Sequence, residues 1–100
     1  MISELLHASQ WSYRHHCALL GSFFEKLMIA FCSAHISGRA QIHPSVTFSH
    51  GGIGVIINPR AIIGEGCIIG PKVTIGNRFP HGEPPILGKY VYVGSGSYVG

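Results

Sequence analysis

Apolar residues recur through the middle of this chain with a period of six. Ile36, Ile42 and Phe48 stand six apart, and Ile57, Ile63, Ile69 and Ile75 repeat the interval. Four residues after these anchors come compact side chains, Ala40, Val46, Ala61, Cys67 and Val73, while Gly64, Gly70 and Gly76 directly follow an anchor. Neither a helical period of 3.6 nor a strand alternation of 2.0 generates that register. A short strand and a tight turn repeated every six residues does. The pattern predicts a mainly β chain wound as a three-sided parallel β-helix, with the anchors buried between successive coils. Pro44, Pro59 and Pro71 fall two residues after an anchor, at the corners, where a fixed φ and a missing N–H do little harm.

The beat slips once. Between Phe48 and Ile57 the interval is nine, and Ser49-His50-Gly51-Gly52-Ile53-Gly54 fills it. A histidine among glycines, at the one disturbance in a regular repeat, is the first candidate for chemistry. The beat stops at Asn77. The segment 77–85, rich in turn formers and without anchors, predicts a projecting loop. It resumes with Leu87, Val93 and Val99, with Val91 and Ser97 in the compact positions, and reaches Gly100 in mid-hexad. An uncapped apolar edge there leads us to expect a chain truncated at its C-terminus relative to a complete β-helix. The organisation expected is a helical segment over 1–34 and the β-helix over 35–100.

The helical segment follows from a different spacing. Tyr13, Cys17, Leu20, Phe24, Leu27 and Phe31 step by three and four, which predicts one buried helix face between Gln10 and about Ser33. Gly21 costs about 1 kcal/mol relative to alanine inside a helix, so it marks the place for a break. Ser3 is a candidate cap for a short helix through Glu4, Leu5 and Leu6.

Composition narrows the classes. One hundred residues make one small domain at most. A 46% hydrophobic content with 11% charge is high for a monomer of this size, so other subunits are expected to cover part of the apolar surface. The net charge of +3 comes from scattered residues, which gives nucleic-acid binding no support. Cys17, Cys32 and Cys67 are odd in number and lack metal-ligand spacing, consistent with a reducing cytoplasm. The apolar run from Ala18 to Ala34 is short for a membrane span and is interrupted by Glu25 and Lys26. Peripheral membrane contact is the membrane role left open. His15-His16 reads as a solvated face, and His43 as an exposed turn residue.

The hexads "IIGEGCIIGPKVTIGNR" after "FSHGGIGVIINPRA" resemble the left-handed β-helix acyltransferases, and within them the serine O-acetyltransferases and the acetyltransferases of exopolysaccharide synthesis. The likeness runs from about Trp11 to Gly100 and is strongest from Ile36 to Gly76. It implies a left-handed parallel β-helix behind an N-terminal helical cover, and a homotrimer with active sites between subunits. It also implies acetyl transfer from acetyl-CoA to the hydroxyl of serine or a sugar, without a metal. His50 matches the family's catalytic base, the natural residue for taking a hydroxyl proton near neutral pH. Gly51, Gly52 and Gly76 would let CoA approach the backbone. Ser49, His35, Arg78, His81 and Glu83 fall near positions that contact the acceptor or orient the base. Here the chain departs from the family. His35 stands where a carboxylate pairs with the catalytic histidine, Ser49 stands where an aspartate is usual, and the chain has no aspartate at all. These departures favour the polysaccharide-type relatives.

Two other readings remain. A non-catalytic solenoid fragment, serving as a trimer-forming or partner-binding module, is the main alternative. A γ-class carbonic anhydrase-like zinc enzyme is less favoured, because its ligands require a close histidine pair on stacked coils.

Overall fold

The computed structural model describes residues 1–76 and 85–99. Two helices, α1 over Ile2–Arg14 and α2 over Ala18–Cys32, precede ten strands of two residues each. The strands are β1 His35–Ile36, β2 Gln41–Ile42, β3 Thr47–Phe48, β4 Ile56–Ile57, β5 Ile62–Ile63, β6 Ile68–Ile69, β7 Thr74–Ile75, β8 Ile86–Leu87, β9 Tyr92–Val93 and β10 Tyr98–Val99. All pairing is parallel and each strand from β1 to β7 pairs with the third one after it. The result is three sheets, β1-β4-β7-β10, β2-β5-β8 and β3-β6-β9. This arrangement is compatible with a parallel β-helix preceded by helices.

The six-residue register decides which way each side chain points. In a two-residue strand the residues face opposite ways, and here the second one faces in. Ile36, Ile42, Phe48, Ile57, Ile63, Ile69 and Ile75 are all buried, the most exposed being Phe48 at 8%. The compact positions Ala40, Val46, Ala61, Cys67 and Val73 are buried beside them, and so are Ala34 and Val55, two residues before Ile36 and Ile57. Each buried isoleucine contributes about 1.5–3 kcal/mol relative to exposure. Glycine after an anchor has a steric cause. A Cβ at Gly64 would lie 2.7 Å from the Gly88 carbonyl oxygen, and one at Gly70 would lie 2.9 Å from the Ser95 nitrogen. At these two positions the next round of backbone passes too close for a side chain. Pro44, Pro59 and Pro71 sit in turns, as their spacing predicts.

Corners are closed by local bonds from the residue directly after an anchor. Asn58 Oδ1 accepts from the Arg60 amide at 2.7 Å, Ser37 Oγ from the Arg39 amide at 3.1 Å, and His43 Nδ1 from the Ser45 amide at 3.1 Å. These are Asx-type turns in which three different side chains perform one task.

The helices correct the sequence reading. The break falls at residues 15–17, where His16 takes a φ of 60°, and not at Gly21. The stripe read as one buried face is largely exposed: Cys17, Leu20 and Phe31 face solvent. What is buried is Ile2, Leu6, Ser9 and Ser12 on α1 and Gly21, Met28 and Cys32 on α2. The two helices fold back on each other through small residues. Ser9 Oγ donates to the Gly21 carbonyl at 3.0 Å, and a Cβ at Gly21 would stand 2.7 Å from the Tyr13 ring. Gly21 therefore permits close approach between helices rather than ending one. Ser3 lies inside α1, which starts after Met1 without a side-chain cap. Glu25, read only as an interruption of an apolar run, ties the layers together. It accepts from the Tyr13 hydroxyl at 3.0 Å and from the Gly38 amide at 2.8 Å.

Among the described residues, no helix is long and apolar enough to cross a membrane.

Candidate functional site

The slip between Phe48 and Ile57 becomes a short 3₁₀ turn over Ser49–Gly52, joining β3 to β4. Its three extra residues are absorbed outside the strand ladder, since Phe48 still pairs with Ile69 and Ile57 with Ile75. Register is preserved because a shift by one would turn every anchor to solvent. His50 is exposed and lies in the left-handed region at φ 52°, ψ 37°. A non-glycine residue there carries strain of about 1–2 kcal/mol, less for histidine than for branched residues. Gly51 follows at φ 69°, with open space where a Cβ would be. Gly52 is different: it is buried, and a Cβ there would collide with the Ile2 side chain of α1. The N-terminal turn of α1 thus pins the end of this turn, leaving His50 and Gly51 at the surface.

The remaining expected site residues are dispersed. Ser49 is half-buried at the start of the turn. His35 is exposed at the head of β1 and borders a concavity of about 300 Å³ shared with Glu25 and Ser37. No hydrogen bond joins His35 to His50, and among the described residues no carboxylate bonds to the His50 ring. Gly76 is half-buried, and a Cβ there would lie 3.2 Å from the Tyr98 hydroxyl. Arg78, His81 and Glu83, with the loop expected over 77–85, lie outside the described residues except for Pro85.

His43 is exposed, as its turn position predicts. Its Nδ1 meets the Ser45 hydroxyl at 2.8 Å, and its Nε2 stands 4.0 Å from Glu65. The same ring nitrogen accepts the Ser45 amide, so Nε2 carries the proton of the neutral ring. Ser45 Oγ in turn accepts from the Gly66 amide at 2.8 Å. The local Ser–His–Glu series is therefore committed to closing a corner, and 4.0 Å is too long for a hydrogen bond. Glu65 also accepts from the Tyr90 hydroxyl at 2.8 Å, which pushes that phenol above its ordinary pKa. Among the described residues, no three His, Cys, Asp or Glu side chains converge as a metal site would require.

A larger concavity, a groove of about 850 Å³, runs between α1 and the β2–β5 face. His7, Gln10, Arg14 and Arg39 border it, and the sequence reading singled out none of them. A signal was present: His7, Gln10 and Arg14 are spaced i, i+3, i+7, one face of a helix. It went unread because residues 1–9 have little apolar patterning.

Comparison of the chain with protein-family models, with curated proteins and with solved structures finds no match.

Proposed function

We propose that this chain is an acetyl-CoA-dependent O-acetyltransferase of the serine acetyltransferase type, built on a left-handed parallel β-helix and working as a homotrimer. The observation that carries the reading is His50. It is an exposed histidine held in a left-handed turn where the hexad register is interrupted and the strand ladder is not. Lys72 and Tyr90 share the left-handed backbone in regular corners, so the interruption of the hexad register is what singles out His50. In this reading the His50 imidazole takes the proton of an acceptor hydroxyl as that oxygen attacks the thioester carbonyl. The tetrahedral oxyanion then collapses and expels the CoA thiolate, which recovers the proton from the imidazolium. Gly51 leaves room for donor or acceptor beside the ring, whereas Gly52 is occupied by its contact with Ile2. Among the described residues no hydrogen bond links His35 to His50 within one chain. An orienting group would come from a neighbouring subunit or from the segment holding Arg78, His81 and Glu83, the acceptor contacts in this reading. Outward columns that include Ile56, and Ile68 beside Tyr92, present apolar surface that a trimer would cover. The acceptor is the hydroxyl of serine or of a sugar.

The test is acetyl-CoA consumption with serine and a panel of sugars, with sedimentation of the same sample at micromolar concentration. His50→Ala should lower the rate by about 10²–10⁴, with His50→Gln nearly as damaging and His35→Ala milder. Turnover that survives His50→Ala overturns the assignment of the base, and a compact monomer removes the trimer. A trimer that consumes no acetyl-CoA with any acceptor leaves the chain a trimer-forming module without catalysis.

A further inference from the structure

The groove between α1 and the β2–β5 face lies apart from the His50 turn, which does not border it. Its volume of about 850 Å³ is in the range of small-molecule sites. Its accessible apolar lining includes Pro44 and Ile62, with the buried Ile42 behind them, and Arg14 and Arg39 border it. Among the described residues, neither arginine is paired with a carboxylate and no carboxylate lines the groove. Glu25 is engaged by the lining residues Tyr13 and Gly38, at 3.0 Å and 2.8 Å, and Glu65 faces His43. Arg39 is also held in position. Its guanidinium lies 4.8 Å from the centroid of the Tyr13 ring, and Tyr13 is anchored through its hydroxyl to Glu25 at 3.0 Å. A guanidinium stacked on an aromatic face keeps its in-plane N–H donors free for an oxyanion, and its preorganisation lowers the entropy lost on binding. Gln10 is fixed as well, donating to the Ile42 carbonyl at 3.2 Å, so it braces the wall and does not compete for ligand.

We propose that this groove is a binding site for a small organic anion, a phosphate or carboxylate carried on a partly apolar body. Arg14 and Arg39 grip the oxyanion, and Pro44 and Ile62 receive the body. The proposal is independent of the acetyltransferase reading, since it uses neither His50 nor acetyl-CoA. The full chain is titrated with phenyl phosphate, benzoate, benzamide and inorganic phosphate, and amide shifts are followed by NMR. Phenyl phosphate or benzoate should saturate shifts at residues 7–14 and 38–44. The better of the two should bind at least tenfold tighter than uncharged benzamide and tighter than inorganic phosphate, which lacks the apolar body. Whichever anion binds identifies the headgroup. Arg39→Gln and Arg14→Gln should each weaken that binding roughly tenfold or more. Arg39→Lys should recover only part of it, because an ammonium lacks the planar fork. Lys89→Gln removes a charge of the same sign away from the groove and should leave affinity unchanged. The proposal is overturned if benzamide binds equally well, if neither anion produces saturable shifts in the groove, or if Lys89→Gln costs as much as Arg39→Gln.

Discussion

Ile63, Ile69 and Ile75 are almost wholly withdrawn from solvent, while in α2 Leu19 is 92% exposed and Phe31 68%. Conversely, the helices bury Ser9, Ser12 and Gly21. The strand region buries the second residue of β1 to β7 and of β9, even though Ile56, Ile68 and Tyr92 face outward; the helical hairpin buries Ile2, Leu6, Met28 and Cys32 but gives the rest of its interior to Ser9, Ser12 and Gly21. The difference lies in what sets the geometry. In the strands, each two-residue unit is bonded to the rounds beside it, so position in the hexad alone decides inside from outside. In the helices, the deciding contact is between two helices and the first strands. Close approach there is limited by the bulk of Ser9, Gly21 and Gly38, and not by how much apolar surface could be covered.

Three substitutions probe that contrast. Ile69→Ala, in the middle of the strand region, should have the largest effect. It should destabilise the fold by about 2–5 kcal/mol in denaturant unfolding, through lost burial and the cavity left behind. A loss under about 1 kcal/mol would mean the interior collapses around the gap and the strand register is not what holds it. Gly38→Ala should follow. A Cβ there would collide with Ser9 Oγ and lie 2.9 Å from the Ser9 carbonyl carbon, a backbone atom that cannot swing aside. The expected cost is about 1–3 kcal/mol by overpacking. An unchanged stability would show that α1 can lift from the first turn freely. Leu19→Ser should be the mildest, within roughly 0.5 kcal/mol in thermal unfolding at low protein concentration. A large loss would show that α2's outer face is covered by something the single chain does not supply.

How much of this was legible beforehand varies along the chain. The inward anchors, their compact neighbours and the corner prolines follow from spacing; the structure buries the anchors and compact residues through Ile75 and Val93, and leaves Leu87, Val91, Ser97 and Val99 half-buried. His50 was visible as an interruption, but its left-handed backbone and the burial of Gly52 under Ile2 were not. The burial depends on α1 reaching back to a turn some fifty residues later in the chain. The three-and-four stripe in the helical segment misled, because periodicity reports an amphipathic face without saying whether a partner exists to cover it. His43 also needed coordinates. From sequence it is a lone histidine after an anchor; its Nδ1 bond to the Ser45 amide places it with Ser37 and Asn58 as a corner-closing residue.

Sequence by itself determined the hexad register, and with it which strand residues face the interior, because a two-residue strand and a four-residue corner leave the backbone no second way to distribute apolar side chains. Tertiary structure alone decided where the helices break, which of their faces is buried, and that Arg14 and Arg39 share the rim of one groove. Those outcomes are set by side chains far apart in the chain meeting at van der Waals distance. The Ser9–Gly21 contact and the Tyr13–Glu25–Gly38 link are of that kind, and no local period encodes them.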